Sequence, residues 1–247
     1  MEQSLRCMGR EYLPQIKISR EKNGLRPGKE NGMKSVLVIG LGRFGARVAE
    51  KLREMGHQIM VVDKVEERVD AAMHCATNGQ IGDCTNRNFL ESLGIPNFDL
   101  CIVSIGDDFQ NSLEATSLLK ELGAKQVVSR AASAVHAKFL KRNGADEVVF
   151  PEEQLANWTA VRYSADHIFD YIPVDQDYAI FEVEVPESWI GRSIGELNIR
   201  KNLKLNILAR KQDGALSMEI SPDTVFSEGE TVLVLGRSEG IREYFKL

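Results

Sequence analysis

The feature that most constrains the fold is a glycine-rich turn, Gly40-Leu41-Gly42-Arg43-Phe44-Gly45, between an apolar run and an amphipathic segment. The β-branched run at 35–40 predicts a buried strand, and residues 43–55 carry apolar side chains at helical spacing. In such a unit the first glycine permits the tight turn, the second admits a phosphate, and the third lets the helix approach the sheet. The pattern predicts a Rossmann-type unit that binds an adenine nucleotide.

Short β-branched runs alternate with helical stretches after this unit, which is typical of a parallel sheet. Strands are predicted at 35–40, 58–63, 77–82, 99–105, 125–130 and 145–149. Beyond Pro173 the pattern changes to strands near 178–185, 204–210 and 231–236 and a closing helix near 238–246. The predicted fold class is α/β: a Rossmann-like parallel-sheet domain followed by a small α+β C-terminal domain.

Composition and periodicity divide the chain into four segments. Residues 1–32 are polar and interrupted by glycine and proline, so we expect a disordered N-terminal extension. Residues 33–150 are predicted to form the Rossmann domain, and 174–247 the C-terminal domain. A linking helix is expected over 151–173, where wide apolar coverage favours contact with a second subunit. The alternative is a terminal helix docked on its own sheet.

Composition argues against several functional classes. The formal net charge of −5 disfavours binding to nucleic acid or to an anionic membrane surface. No apolar run approaches the roughly 18–20 residues that span a bilayer. The four cysteines form no C-x-x-C pair and are interpreted as reduced thiols. We therefore expect a cytoplasmic protein that binds no nucleic acid.

A carboxylate follows the second predicted strand, where nucleotide-binding folds bond the ribose. Asp63 can accept hydrogen bonds from ribose hydroxyls, and its charge repels a 2′-phosphate. This favours NAD, ATP or ADP over NADP, although the adjacent Lys64 weakens the argument. The alternative is that Asp63 is a turn or N-cap residue ahead of Val65.

Further candidates lie in the turn and at the ends of other predicted strands. Arg43 either bonds phosphate oxygens bidentately or is a solvated arginine, and Arg130 ends the fifth strand, facing the same crevice. The segments 82–85 and 104–107 border the adenosine half of the crevice, or else Asp83, Thr85 and Asp107 serve as helix caps. The predicted nucleotide contacts are Gly40, Gly42, Arg43, Phe44, Gly45, Asp63, Lys64, Asp83, Cys84, Ile105, Gly106 and Arg130.

Several motifs together resemble the RCK domains of Ktr/Trk-type potassium uptake systems. They are the turn with its preceding Val38-Ile39, Val62-Asp63, Gly82-Asp83, and Gly144-Ala145-Asp146 with Pro151-Glu152. The segment 189–197 also resembles the start of that family's C-terminal domain, so the resemblance covers most of 33–247. The N-terminal 32 residues and Phe150 depart from the family pattern.

The resemblance implies a cytoplasmic regulatory subunit of a potassium ion transport system. In that family the N-terminal domain binds ATP or ADP, and sometimes NAD(H). The domains pair and assemble into an octameric ring beneath a membrane channel or transporter, and ligand changes the shape of the ring. The chain is thus expected to form homo-oligomers and to reach the inner face of the membrane through its partner.

Two further ligands follow from the same resemblance. Glu152 matches a family acid that helps hold a divalent cation, Mg²⁺ or Ca²⁺, near the γ-phosphate. The alternative is a helix-start glutamate that complements the helix dipole after Pro151. Some relatives bind cyclic di-AMP between paired C-terminal domains, in the region matching 194–222.

The competing functional class is an NAD-dependent oxidoreductase, which needs an acid or base beside the nicotinamide. No tyrosine begins a Tyr-x-x-x-Lys motif, and the four histidines lie away from the predicted strand ends. The segment after residue 173 is also small for a substrate domain. We therefore expect a non-enzymatic binding protein; a third alternative is a scaffold that needs no ligand.

Overall fold

The computed structural model describes residues 32–164, 167–175 and 177–245. The chain divides into two compact units, one ending at Glu152 and one continuing from Glu153. The predicted disordered extension at 1–32 lies outside the described residues, apart from Gly32. None of the described helices is long and apolar enough to cross a membrane.

The first unit contains a six-stranded sheet in the order β3-β2-β1-β4-β5-β6, with every pair parallel. Its strands are β1 Ser35–Ile39, β2 Gln58–Asp63, β3 Asn78–Ile81, β4 Leu100–Val103, β5 Val127–Arg130 and β6 Glu147–Val149. Its helices are α1 Arg43–Glu54, α2 Glu66–Ala72, α3 Arg87–Ser92, α4 Phe109–Glu121 and α5 Ala134–Arg142, with a 3₁₀ turn at Ile95–Asn97. The predicted parallel-sheet domain is confirmed, with small differences at the strand ends.

Helices cover both faces of this sheet, which explains why its central strand β1 is apolar on both sides. Leu37 and Ile39 of β1 pack in a core with residues of α3 and α4, whereas Val36 and Val38 pack in another with residues of α1 and α2. All four side chains are at most 1% exposed. The carboxyl ends of the strands therefore meet at one edge, where their loops converge.

The strand order reverses at β1, which pairs with β2 on one side and β4 on the other. In open α/β sheets, ligands bind in the crevice outside the strand ends at this reversal. The loops that follow β1 and β4 flank it.

The second unit contains an antiparallel five-stranded sheet in the order β10-β9-β11-β8-β7. Its strands are β7 Ile168–Pro173, β8 Tyr178–Glu184, β9 Asn206–Gln212, β10 Ala215–Ser217 and β11 Thr231–Arg237. Helix α6, Pro151–Tyr163, precedes the sheet, and a 3₁₀ turn lies at Glu187–Trp189. The other helices are α7 Ile194–Leu197, α8 Ile199–Asn202 and α9 Ser238–Phe245. This confirms the predicted small C-terminal α+β domain.

The linking helix predicted over 151–173 is too long. Helix α6 ends at Tyr163, and Ile168–Pro173 is a strand that pairs with β8. A short run of aromatic and β-branched residues fits helical and strand periodicity about equally well, and here the antiparallel partner decides. Pro173 is compatible with this placement because β7 is an edge strand. The short strand β10 was also not predicted.

Candidate functional site

The turn after β1 depends on two of its three glycines for steric reasons. Gly40 has a φ of 86°, in the left-handed region, and its N–H donates to Val62 O at 2.8 Å. A Cβ on Gly45 would collide with the Gly40 carbonyl oxygen and the Ser104 hydroxyl. A Cβ on Gly42 would meet nothing within 4 Å. The Gly42 backbone is therefore the part of the turn open to a ligand.

Helix α1 begins on this open backbone. Gly42 is its N-cap, and no side chain caps the helix. The first intrahelical bond runs from Ala46 N to Gly42 O at 3.0 Å, so the N–H groups of Arg43, Phe44 and Gly45 precede the helical ladder. Such N–H groups carry partial positive charge and bind anions.

Asp63, at the end of β2, holds the turn in place. Its Oδ2 accepts from Leu41 N at 2.6 Å, its Oδ1 accepts from Val65 N at 2.9 Å, and the residue is 6% exposed. The turn interpretation of Asp63 is therefore correct; the N-cap interpretation is wrong, because the N-cap of α2 is Val65. Oδ2 also faces Arg68 Nη1 at 3.6 Å, whereas Oδ1 keeps a second lone pair that can accept from a ribose hydroxyl.

Arg130, at the end of β5, lies against the turn and the loop after β4. Its Cζ is 5.8 Å from the centroid of the Phe44 ring, and a Cβ on Gly106 would collide with its guanidinium. Its Nη2 donates to Glu152 Oε1, and the Arg130 side chain is 16% exposed. The structure thus brings Phe44, Gly106, Arg130 and Glu152 together beside the turn.

Glu152 lies in a positive environment. Partial burial raises its pKa, but the hydrogen bond from its own backbone N–H, the bond from Arg130, and the charges of Arg130 and Arg43 lower the pKa below its ordinary value. Within the described residues, no group of three or more His, Cys, Asp or Glu could hold a metal ion. A divalent cation at Glu152 would need most of its ligand oxygens from elsewhere.

The predicted nucleotide contacts that follow β2 and β3 differ in solvent exposure. Lys64 and Asp83 are exposed, and the pKa of Asp83 is lowered by hydrogen bonds from the Thr85 N–H and hydroxyl and by the charge of Lys64. Cys84 is 5% exposed and packs in the core, where burial raises its pKa to about 12. Its thiol is therefore not available to a ligand, and a nucleotide could contact Cys84 only through its backbone.

The alternative roles of Asp83, Thr85 and Asp107 as helix caps are wrong. Asn86 caps α3 by accepting from Phe89 N at 3.2 Å, and Asp108 caps α4 by accepting from Asn111 N at 3.0 Å. Asp83 instead closes a turn with Thr85.

Ser104, which was not among the predicted contacts, joins the two loops of the crevice. Its N–H donates to Ile39 O at 2.8 Å, and its hydroxyl donates to the Gly40 carbonyl. The neighbouring Ile105 lies close to Gly40, since a Cβ there would be 3.2 Å from Ile105 Cγ1. The available sequence signal was a small hydroxyl residue directly after a buried strand.

Comparison with known proteins matches both units. The TrkA-N domain family matches residues 36–151, and the TrkA-C domain family matches 179–247. Ktr system potassium uptake protein A of Bacillus subtilis (strain 168) is 35% identical over 211 residues, covering 85% of this chain and 95% of that protein. Protein C of the same system and organism is 32% identical, covering 86% of this chain and 96% of that protein.

Solved structures share the fold at lower identity. The GsuK channel superposes with a TM-score of 0.63 at 19% identity, covering 88% of this chain and 40% of that one. The GsuK channel bound to NAD gives a TM-score of 0.62 with the same coverage. At this identity the likeness concerns the fold alone.

Proposed function

The chain belongs to the TrkA family, in which a TrkA-N domain precedes a TrkA-C domain, and on this premise we propose that it is a nucleotide-sensing regulatory subunit of a potassium uptake system. The resemblance of the sequence to Ktr/Trk-type proteins is thereby confirmed. The observation that carries the proposal is the uncapped start of α1 on the open Gly42 backbone, between Asp63 and Arg130.

In the proposed complex, the phosphates lie on the turn and the first N–H groups of α1. Asp63 accepts from the ribose, and the adenosine lies towards Lys64, Asp83 and the backbone of Cys84. Ile105 and Gly106 line the opposite wall. Two guanidinium groups, Arg43 and Arg130, favour a chain of phosphates, so ATP or ADP is the proposed ligand and NAD(H) the second candidate.

Glu152 is proposed to hold Mg²⁺ or Ca²⁺ together with phosphate oxygens of the nucleotide. Its carboxylate is ionised and is the hard oxygen ligand that these cations prefer. The phosphates would supply the oxygens that the described part of the chain does not provide.

The proposed partner is a membrane potassium channel or transporter subunit, with this chain on the cytoplasmic side in a homo-oligomeric ring. Leu155 and Tyr163 of α6 are 63% and 72% exposed, so α6 offers apolar surface for a second subunit. Nucleotide would regulate the partner only by favouring one conformation of the ring. Cyclic di-AMP binding at 194–222 stays a prediction.

We favour ligand binding over oxidoreductase chemistry because the histidines lie elsewhere. His57 accepts from Lys34 N at the opposite edge of the sheet, and His74 is paired with Glu50. His136 is buried against the Phe109 ring, and His167 belongs to the second unit. None of them offers a proton donor or acceptor at the glycine-rich turn.

Calorimetric titration of the full chain with ATP, ADP and NADH tests the proposal. We expect saturable binding, weakened about tenfold or more by Arg43→Ala, which corresponds to about 1.4 kcal/mol. Arg47→Ala is the matched control, because that arginine lies on the same helix and its side chain is 80% exposed. Absence of saturable binding by the unmodified chain would overturn the proposal.

A further inference from the structure

The surroundings of Arg130 contain three different kinds of contact. Gly106 gives the guanidinium room, and the Phe44 ring lies beside it; both are uncharged. The third contact, Glu152, is an anion. Among these contacts of the described residues, Glu152 alone has the charge of a phosphate, so it is the contact that a phosphate can replace.

We propose that Glu152 is a tethered counter-anion, which occupies Arg130 in the empty site and is displaced by a phosphate of the entering nucleotide. The inference rests on the proposed nucleotide function and concerns regulation of that same site. It assigns Glu152 a role in the absence of a divalent cation, separate from the proposed cation contact.

The hydrogen-bond donors of Arg130 indicate that the phosphate displaces the Glu152 carboxylate and does not share the guanidinium with it. Its Nε is buried and has no hydrogen-bond partner in the described structure, and its Nη1 lies against Gly106. Nη2 is engaged by Glu152. A phosphate that bonds Nη2 from the side of Glu152 must therefore take the place of the carboxylate.

The position of Glu152 permits the exchange. Its side chain is 57% exposed, so the displaced carboxylate can be hydrated without rearrangement of a core. It lies in the first turn of α6, where a negative charge is stabilised by the helix dipole. Arg130, at 16% exposure, has no comparable freedom.

The sign of the effect depends on divalent cations. Without them, a carboxylate and a phosphate beside the same guanidinium repel each other and compete for it. A divalent cation would take both the Glu152 carboxylate and phosphate oxygens as ligands and would offset this repulsion. Loss of the Glu152 charge should therefore strengthen nucleotide binding in chelator and cease to do so in Mg²⁺.

Titration of the full chain with ADP in EDTA tests this inference. We expect Glu152→Gln to bind ADP about fivefold tighter than the unmodified chain, or about 1 kcal/mol. Glu153→Gln, the adjacent acid, is the control and should not change affinity. In an Arg130→Gln background the substitution at 152 should give a clearly smaller gain, because the competed donor is gone and only the repulsion between the two anions is relieved. Repeating the titrations in Mg²⁺ should abolish the gain.

The outcomes separate the two proposals. Equal or weaker ADP binding by Glu152→Gln in EDTA, while the unmodified chain binds ADP, overturns the counter-anion and leaves the nucleotide site standing. An equal gain in the Arg130→Gln background also overturns it. If no variant binds ADP, both proposals fail. Because Glu152 is an exposed ion-pair partner, its replacement should not prevent folding.

Discussion

The central strand β1 of the first unit is apolar on both faces, whereas the burial of β8 in the second unit alternates. In β1 four consecutive residues are buried, but in β8 the buried Ala179, Phe181 and Val183 alternate with more exposed residues. A sheet covered on both faces can bind a ligand only at the ends of its strands, where loops and helix ends meet. A sheet with one covered face keeps the other for polar networks such as Glu182 with Lys211 and Thr231.

This difference predicts that ligand binding and fold stability can be changed separately. The two tryptophans, Trp158 and Trp189, both lie in the second unit, so intrinsic fluorescence reports on that unit alone. Nucleotide titration reports on the first.

The largest effect is expected from the core of the second unit. Phe181→Ala removes a fully buried ring and should lower the free energy of unfolding, followed by tryptophan fluorescence in urea, by about 3–5 kcal/mol. ADP affinity at low urea should not change. Ile172→Ala, on the neighbouring strand and 52% exposed, is the control with little effect. A parallel loss of ADP affinity would contradict the separation.

Gly45→Ala should instead destabilise the first unit, and it should abolish ADP binding as well. The added Cβ collides with the Gly40 carbonyl, so we expect about 3 kcal/mol of destabilisation and loss of measurable ADP binding. Hydrogen exchange of the β1 peptide measures the first effect and titration the second. Gly240→Ala in α9 meets nothing within 4 Å and should instead stabilise its helix slightly. Normal ADP binding by Gly45→Ala would refute the assigned turn geometry.

Ser104→Ala should have a smaller effect. It removes the hydroxyl that donates to Gly40, at a cost of about 1 kcal/mol, and should weaken ADP binding several-fold by loosening the turn. Half-buried Ser117 bonds Glu121 within α4 and is the control when replaced by alanine. Unchanged affinity in Ser104→Ala would show that β1 and Asp63 hold the turn without it.

The smallest expected effect is a pH dependence confined to the first unit. Burial lowers the pKa of His136, whose Nδ1 accepts from Ala132 N at 3.2 Å. The unfolded chain therefore takes up the proton first, and stability is lost as pH falls below about 6.5, the ordinary histidine value. The protection factor of the α5 peptide, which corrects exchange for the intrinsic rate at each pH, should fall over this range in the unmodified chain and not in His136→Gln. His74→Gln, with an exposed side chain, should retain the dependence.

The sequence predicted the parallel sheet well because the βαβ pattern repeats and the central strands β1, β2 and β4 are largely apolar. It predicted β7 poorly, since the run at 168–173 becomes a strand only through pairing with β8. Helix caps were misplaced because Asp83 and Asn86 have the same local preferences, and only the path of the chain distinguishes a turn from a cap.

The candidate site shows the same division. The position of Asp63 at a strand end was predictable, but its bond to Leu41 N depends on how the turn after β1 approaches β2. Ser104 was expected at the crevice as part of the segment 104–107, but its bond to Gly40 was not predicted because the two residues are 64 positions apart in sequence. Contacts within one strand–turn–helix segment could be predicted. Contacts between two such segments of the first unit needed the tertiary structure.

The link from Ser104 to Gly40 also bears on the order of folding. The glycine-rich turn reaches its final shape only after β4 has docked beside β1, a contact of long sequence separation that carries a large loop-closure cost. The ability to bind nucleotide should therefore arise late in folding, after much of the first unit has been synthesised and has become compact. Nucleotide then stabilises only chains that have passed this step, so its cellular concentration would bias the yield of correctly folded protein as well as its activity.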